Sequence, residues 1–195
     1  MHTTASTDYT SALRLIQCLE QAGYKRLMVI RVDFMMRSDY QHSTSILNIQ
    51  SYRKHLWNNR RGKPAIFRHC LGYVWGMEYT AEAGYHYHCL FLFDGDYVQA
   101  DTYYGDQIGE YWKFITGGKG SYHNCNSEKD KYQHLGIGRI RLNNAEELGN
   151  LCRYVIPYLA KDDRQVQSAI QLDVAAMGLM RIKVRTFGCS NNLKL

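Results

Sequence analysis

Residues Gly84–Phe93, Gly-Tyr-His-Tyr-His-Cys-Leu-Phe-Leu-Phe, restrict most narrowly what this chain can fold into. Ten residues rich in aromatic and apolar types, with no interior breaker, predict a β-strand. Side chains alternate along a strand, so His86 and His88 project from one face. Tyr87, Cys89, Phe91 and Phe93 project from the other and can pack on a core. Two imidazoles side by side on a rigid strand make half of a metal site. Taken alone, such a pair is more often surface residues or a hydrogen-bonded histidine couple than a metal site.

The preceding residues supply a partner. Tyr73–Tyr79 predicts a strand, and Ala81-Glu82-Ala83 a turn. A hairpin symmetric about Glu82 sets Glu78 opposite His86 and Gly76 opposite His88, with cross-strand partners on one face. Glu78 then joins the two histidines. A bulge would change that register and leave Glu82 as the alternative third ligand.

Elsewhere the pattern alternates helices with strands. Ser11–Ala22 predicts an amphipathic helix ended by Gly23. Arg26–Phe34 predicts a strand with Arg31 and Asp33 on one face, and Arg37–Ser45 a loop. Ile46–Asn59 predicts a helix, followed by the basic run Arg60-Arg61-Gly62-Lys63; these cations suit either a helix C-terminus or phosphates. Asp101–Thr116 predicts a third helix. The loop Gly117–Asn124, with Lys119, lacks P-loop spacing. Gly136–Leu142 predicts a short strand.

Asn143 opens a fourth helix, with Glu146 placed for a capping box. Leu148, Leu151, Cys152, Val155 and Leu159 form its apolar stripe, and Tyr154, Tyr158 and Lys161 form another. Pro157 bends it between the tyrosines. Asp173–Leu179 predicts a short helical piece. In Met180–Phe187, Met180, Ile182 and Val184 alternate with Arg181, Lys183 and Arg185, which predicts a last strand with one cationic face, either solvent surface or a DNA track. No repeat or linker divides the chain, so 1–195 is expected to be one domain.

Composition narrows the partners. A net charge of +6 with sixteen tyrosines suits single-stranded nucleic acid, cations meeting phosphates and rings stacking on bases, or a basic surface over a tyrosine-rich core. Six scattered cysteines form no Cys-x-x-Cys pair, which argues against a zinc ribbon and fits reduced thiols. There is no run of about 18 apolar residues and no signal-type h-region, so no membrane association and a cytoplasmic location are expected.

Two histidines and a carboxylate leave coordination positions for water and a phosphate oxygen, as a Lewis-acid Mn²⁺ or Mg²⁺ requires, the imidazoles tilting the choice toward Mn²⁺. A tyrosine phenol, weak as a nucleophile at its ordinary pKa, would be assisted by such a metal and by Lys161.

Tyr85-His86-Tyr87-His88-Cys89-Leu90 followed by Tyr154-Val155-Ile156-Pro157-Tyr158-Leu159-Ala160-Lys161 resembles the HUH superfamily of single-strand DNA endonucleases. The histidine motif precedes the tyrosine motif, the replication-initiator order. Val29–Asp33, Tyr111-Trp112, Ile115–Gly120, Asn124-Cys125-Asn126, Gly136–Gly138 and Arg185–Gly188 are similar to the rolling-circle initiators of filamentous phages and their prophage relatives, over roughly residues 24–188. The resemblance implies an α+β fold, a five-stranded antiparallel sheet with flanking helices. It implies nicking of a single-stranded or hairpin origin through a 5′-phosphotyrosine, with host helicase and replication proteins as further partners. His86, His88 and Glu78 would hold the metal, Tyr158 would be the nucleophile, Tyr154 a second tyrosine or helper, and Lys161 its cation. Arg31, Arg60, Arg61, Lys63, Lys119, Arg181, Lys183 and Arg185 would contact DNA. Pro157 stands where the two-tyrosine motif often carries lysine. An HUH-type transposase, or a noncatalytic single-stranded-DNA-binding regulator, are the alternatives.

Overall fold

The computed structural model describes residues 7–161, 164–180 and 182–190. Helix α1 (Thr7–Gln21) buries Ala12, Leu15, Ile16 and Leu19, one stripe at helical spacing. It starts four residues before the expected Ser11; of Thr7–Thr10, Tyr9 packs on the core and the other three are polar. Gly23, with φ +90°, ends it: its N–H bonds to Glu20 and that of Tyr24 to Leu19.

Strand β1 (Arg26–Met36) is followed by α2 (Ser38–Gln41), a single helical turn inside the expected loop. Helix α3 (Ile46–Asn59), a 3₁₀ turn (Arg60–Gly62) and α4 (Pro64–Phe67) lead into β2 (Cys70–Thr80) and β3 (Gly84–Asp94). Helix α5 (Asp101–Ile115), β4 (Gly120–Asn124), a 3₁₀ stretch (Cys125–Lys131) and β5 (Gly138–Arg141) come next. Helix α6 (Ala145–Asn150), a π-helical turn (Leu151–Val155), α7 (Ile156–Leu159), α8 (Arg164–Ala176) and β6 (Phe187–Cys189) complete the order. No helix among the described residues is long and apolar enough to cross a membrane.

The fold is α+β, an open antiparallel sheet of six strands rather than five. Its main path runs β4-β1-β3-β2-β6, and β5 shares the outer edge of β1 with β4. β5 pairs with Arg26–Val29 and β4 with Val32–Met36. The buried Asn126 side chain bridges the interval between them. Its Oδ1 accepts from the Arg31 N–H at 2.8 Å, and its Nδ2 donates to the Val29 carbonyl at 3.0 Å. One amide thus stands in for a missing stretch of strand.

Helices α3, α5 and α8 cover one face of the sheet, over a core containing Val32, Phe34, Tyr87, Cys89, Phe91, Phe93 and Trp112. Helix α1 and the α6–α7 segment cover the other, over Leu27, Val29, Val74, Leu90 and Leu92. Alternation carries this second face from those apolar residues to Arg31 and Asp33 on β1, His88 and His86 on β3, and Gly76 and Glu78 on β2.

Three expectations about the C-terminal third are corrected. The cap of α6 is Asn144, not Asn143; its Oδ1 accepts from the N–H groups of Glu146 and Glu147, and Glu147 rather than Glu146 reaches back to it. The helical piece expected at Asp173–Leu179 is the end of the longer α8, whose buried Val166, Ala169 and Ile170 are interleaved with Gln165, Gln167 and Ser168. The last strand is Phe187–Cys189, not Met180–Phe187. Ile182 and Val184 pack on the first core, but of this stretch's carbonyls the pairing to β2 includes Thr186, which accepts from Met77 at 2.7 Å. Alternation reports which side is buried; it does not report ladder hydrogen bonds.

Candidate metal centre and tyrosine site

The hairpin register is the one symmetry about Glu82 predicts: Glu78 opposite His86, Gly76 opposite His88. Glu78, His86 and His88 are all buried, and one ligand atom from each lies within 4.8 Å of the others. Glu82 is exposed in the turn and lines a separate open cleft against α8. Among the two glutamates, Glu78 is the one at the histidines.

Both imidazoles are oriented by groups behind them. His86 Nδ1 lies 3.0 Å from the Gly84 carbonyl, and His88 Nδ1 lies 2.9 Å from Asp33 Oδ2. Each Nδ1 therefore carries the proton, and each Nε2 turns toward Glu78, at 3.7 Å from His86 and 3.2 Å from His88. With Nε2–H groups the imidazoles donate to Glu78; with bare Nε2 lone pairs they and the carboxylate converge on one point that a cation can occupy. Carbonyl–histidine and carboxylate–histidine pairs of this kind orient imidazoles for metal binding. The residues present thus fit a divalent metal, with one carboxylate oxygen and two imidazole nitrogens as the donor set.

The surrounding charges reinforce one another. Burial pushes the Glu78 carboxyl up, but hydrogen bonds from His86, His88 and Lys161 outweigh it and hold the group well below the usual carboxylate range. Lys161 Nζ lies 2.8 Å from Glu78 Oε1. Burial likewise opposes the charge on Asp33, and His88 and Arg31 more than offset it. Arg31 grips Asp33 with Nε at 3.1 Å and Nη2 at 3.0 Å. Burial disfavours a charged His88, yet Asp33 and Glu78 on its two sides raise its pKa.

Tyr158 lies over this cluster. Its hydroxyl is 3.4 Å from His88 Nε2, and the two rings meet edge to face at 4.9 Å. The Arg31 guanidinium and the Lys161 ammonium each stand 4.5 Å from its ring centroid. Burial and Glu78 raise the phenol's pKa, while Arg31 and Lys161 pull it down.

Two backbone features place the tyrosine. The winding from Ala145 to Leu159 is broken by the π-helical turn, where the Ile156 N–H reaches back five residues to Leu151. Pro157, which has no N–H to donate, sits in the first turn of α7, so the expected disturbance is present as a widened turn. Gly76 then lets α7 onto the sheet: a Cβ there would collide with the Leu159 carbonyl oxygen.

The structure gathers Glu78, His86, His88, Lys161, Tyr158 and Arg31 of the expected site. Arg31 serves as an internal partner of Asp33, only 12% exposed, rather than as a free surface cation. Tyr154 does not reach the triad; its ring stacks on His134 at 3.9 Å. Arg60 and Lys63 stand over Tyr73 and over Tyr111 and Phe114, on the α3–α5 side of the sheet, and Arg61 is exposed beside them. Lys119 lies over Tyr40, and Lys183 and Arg185 are exposed ahead of β6. Arg181 lies outside the described residues. Sequence reasoning assigned no role to Asp33 or Gly76; an acidic residue on the face of Arg31 and a glycine inside a strand were the available signals.

No curated protein and no solved structure matches the chain. A family model does, over residues 5–190, and by that match the chain belongs to the YagK/YfjJ C-terminal domain family.

Proposed function

We propose that this protein is a metal-dependent endonuclease that nicks and rejoins single-stranded DNA, with Tyr158 as nucleophile, and that it starts rolling-circle replication at a hairpin or single-stranded origin. The observation that carries the reading is the Tyr158 hydroxyl 3.4 Å from His88 Nε2, on the edge of a buried Glu78–His86–His88 cluster. The arrangement agrees with what the likeness to HUH initiators implies.

Tyr158 Oη attacks the phosphorus of a phosphodiester. A phosphotyrosine bond to the 5′ side forms, the bond to the 3′ oxygen breaks, and the phenol's proton is balanced by protonation of that oxygen to a free 3′-OH. The linkage is exchanged rather than hydrolysed, so attack by a 3′-OH reverses it. Glu78, His86 and His88 would hold a divalent metal, which would supply Lewis-acid stabilisation of the phosphate charge, the imidazole donors favouring Mn²⁺ over Mg²⁺. Lys161 and Arg31 flank the Tyr158 ring and favour the phenolate as charge develops. Asp33 and the Gly84 carbonyl hold the imidazoles in the tautomer the metal needs.

The test is incubation with single-stranded and hairpin DNA and Mn²⁺, followed by denaturing electrophoresis. A covalent protein–DNA adduct forms with the wild type and with Tyr154→Phe, and not with Tyr158→Phe. Absence of any adduct across varied sequences and metals overturns the reading; loss in Tyr154→Phe alone moves the nucleophile.

A further inference from the structure

Beside Tyr158 lies a cleft of about 380 Å³ lined by Arg31, Tyr132, His134, Tyr154 and Tyr158, with Gly136, Ile137 and Val155; no triad residue lines it. Four of these residues, Tyr132, His134, Tyr154 and Tyr158, present flat rings. The His134 and Tyr154 rings stack 3.9 Å apart and within 7° of parallel. Tyr132 is 39% and Tyr154 47% exposed, so a large aromatic area faces solvent in one place. Arg31 is already engaged by Asp33 and by the Tyr158 ring, so the cleft offers no free cation of its own from that residue. The surroundings therefore suit a flat, mostly uncharged ring better than a phosphate.

We infer that this cleft receives a single unpaired nucleobase of the strand whose phosphodiester lies at Tyr158, stacked against Tyr154 and its partner His134. The inference rests on the triad being a phosphodiester site, because Tyr158 borders both. The volume is at the small end for ligand sites, enough for one base. A base still stacked in a duplex cannot enter; one extruded from the strand can. Tyr154 thereby has a part other than nucleophile. A stacking platform needs its ring and not its hydroxyl.

The experiment measures binding without cleavage, in chelator, by fluorescence anisotropy. Two probes are compared: a short single strand of mixed sequence, and a strand of equal length whose residues are all abasic, with the same phosphates and no bases. The wild type binds the base-bearing strand more tightly, by about 5- to 150-fold for one stacked base. Tyr154→Ala and His134→Ala reduce that preference and leave affinity for the abasic strand unchanged; Tyr154→Phe retains it. Thermal melting verifies that the variants, altered at exposed positions, stay folded. Equal wild-type affinity for both strands, or an undiminished preference in Tyr154→Ala, overturns the base site whatever the nicking assay gives. A preserved preference in a protein that never forms an adduct removes the nuclease reading and leaves the base site standing.

Discussion

His88 and Asp33 are paired across adjacent strands, Nδ1 to Oδ2 at 2.9 Å, in a register that sets them directly opposite each other. Because that nitrogen carries the proton, the other is left for a metal. Asp33→Asn removes the charge that raises imidazole basicity and holds the tautomer. Mn²⁺ affinity is expected to fall by about 10- to 100-fold in calorimetric titration. An unchanged affinity would mean that Asp33 serves only to neutralise Arg31.

Metal binding to the folded state alone must raise stability. At a free Mn²⁺ concentration of about 100 times the dissociation constant, the gain is about 2.7 kcal/mol. Thermal unfolding with Mn²⁺ and with chelator measures it. Glu78→Gln, which removes the anionic member of the triad, is expected to lose most of the gain; full retention would place the ion elsewhere.

Gly76 and Leu159 test how the tyrosine is positioned. In Gly76→Ala the new methyl meets the Leu159 carbonyl oxygen, and backbone must move. Overpacking of this kind costs about 1–3 kcal/mol. Displacing Tyr158 by about 1 Å would lower adduct formation on the order of 100-fold. Mn²⁺ affinity should stay near wild type, since the three ligands are untouched. A variant that loses metal binding and adduct together would show that the sheet itself had deformed.

Asp101 carries an acid-sensitive part of the stability. Its carboxyl is buried, which raises its pKa, but the Lys129 ammonium at 2.8 Å and the Asn126 amide at 3.0 Å lower it below the ordinary value. The native state then holds fewer protons than the unfolded chain just below that ordinary value. The contribution is complete above the unfolded pKa of about 3.9 and is lost as pH falls through the lower native one. Asp101→Asn should cost about 1–3 kcal/mol at neutral pH and flatten the acid limb in urea unfolding. Parallel acid limbs for both proteins would assign the effect to other carboxylates.

Local pattern made the hairpin and its ligands legible. A period of two put His86 and His88 on one face, and a turn centred on Glu82 put Glu78 across from His86. The helix at Ile46–Asn59 was equally legible from its spacing. The same local reasoning misread Met180–Phe187, where alternation marks a half-buried stretch that leaves most of the β2 edge to other residues.

The sequence by itself put His86 and His88 on one face and Glu78 across from them unless a bulge intervened, because strand alternation and a short turn fix neighbours within about a dozen residues. Tertiary structure decided everything that depends on pairing between distant segments. β1 against β3 brought Asp33 to His88, 55 positions apart in the chain by their numbers. Asn126 completed the β1 edge through a side chain, which no backbone pattern announces. The π-helical turn and the bare backbone at Gly76 sent Tyr158 to the triad and left Tyr154 on His134. On an ideal helix the two tyrosines share a stripe; with one widened turn and one close approach to the sheet, both line one cleft but Tyr158 is the one on His88.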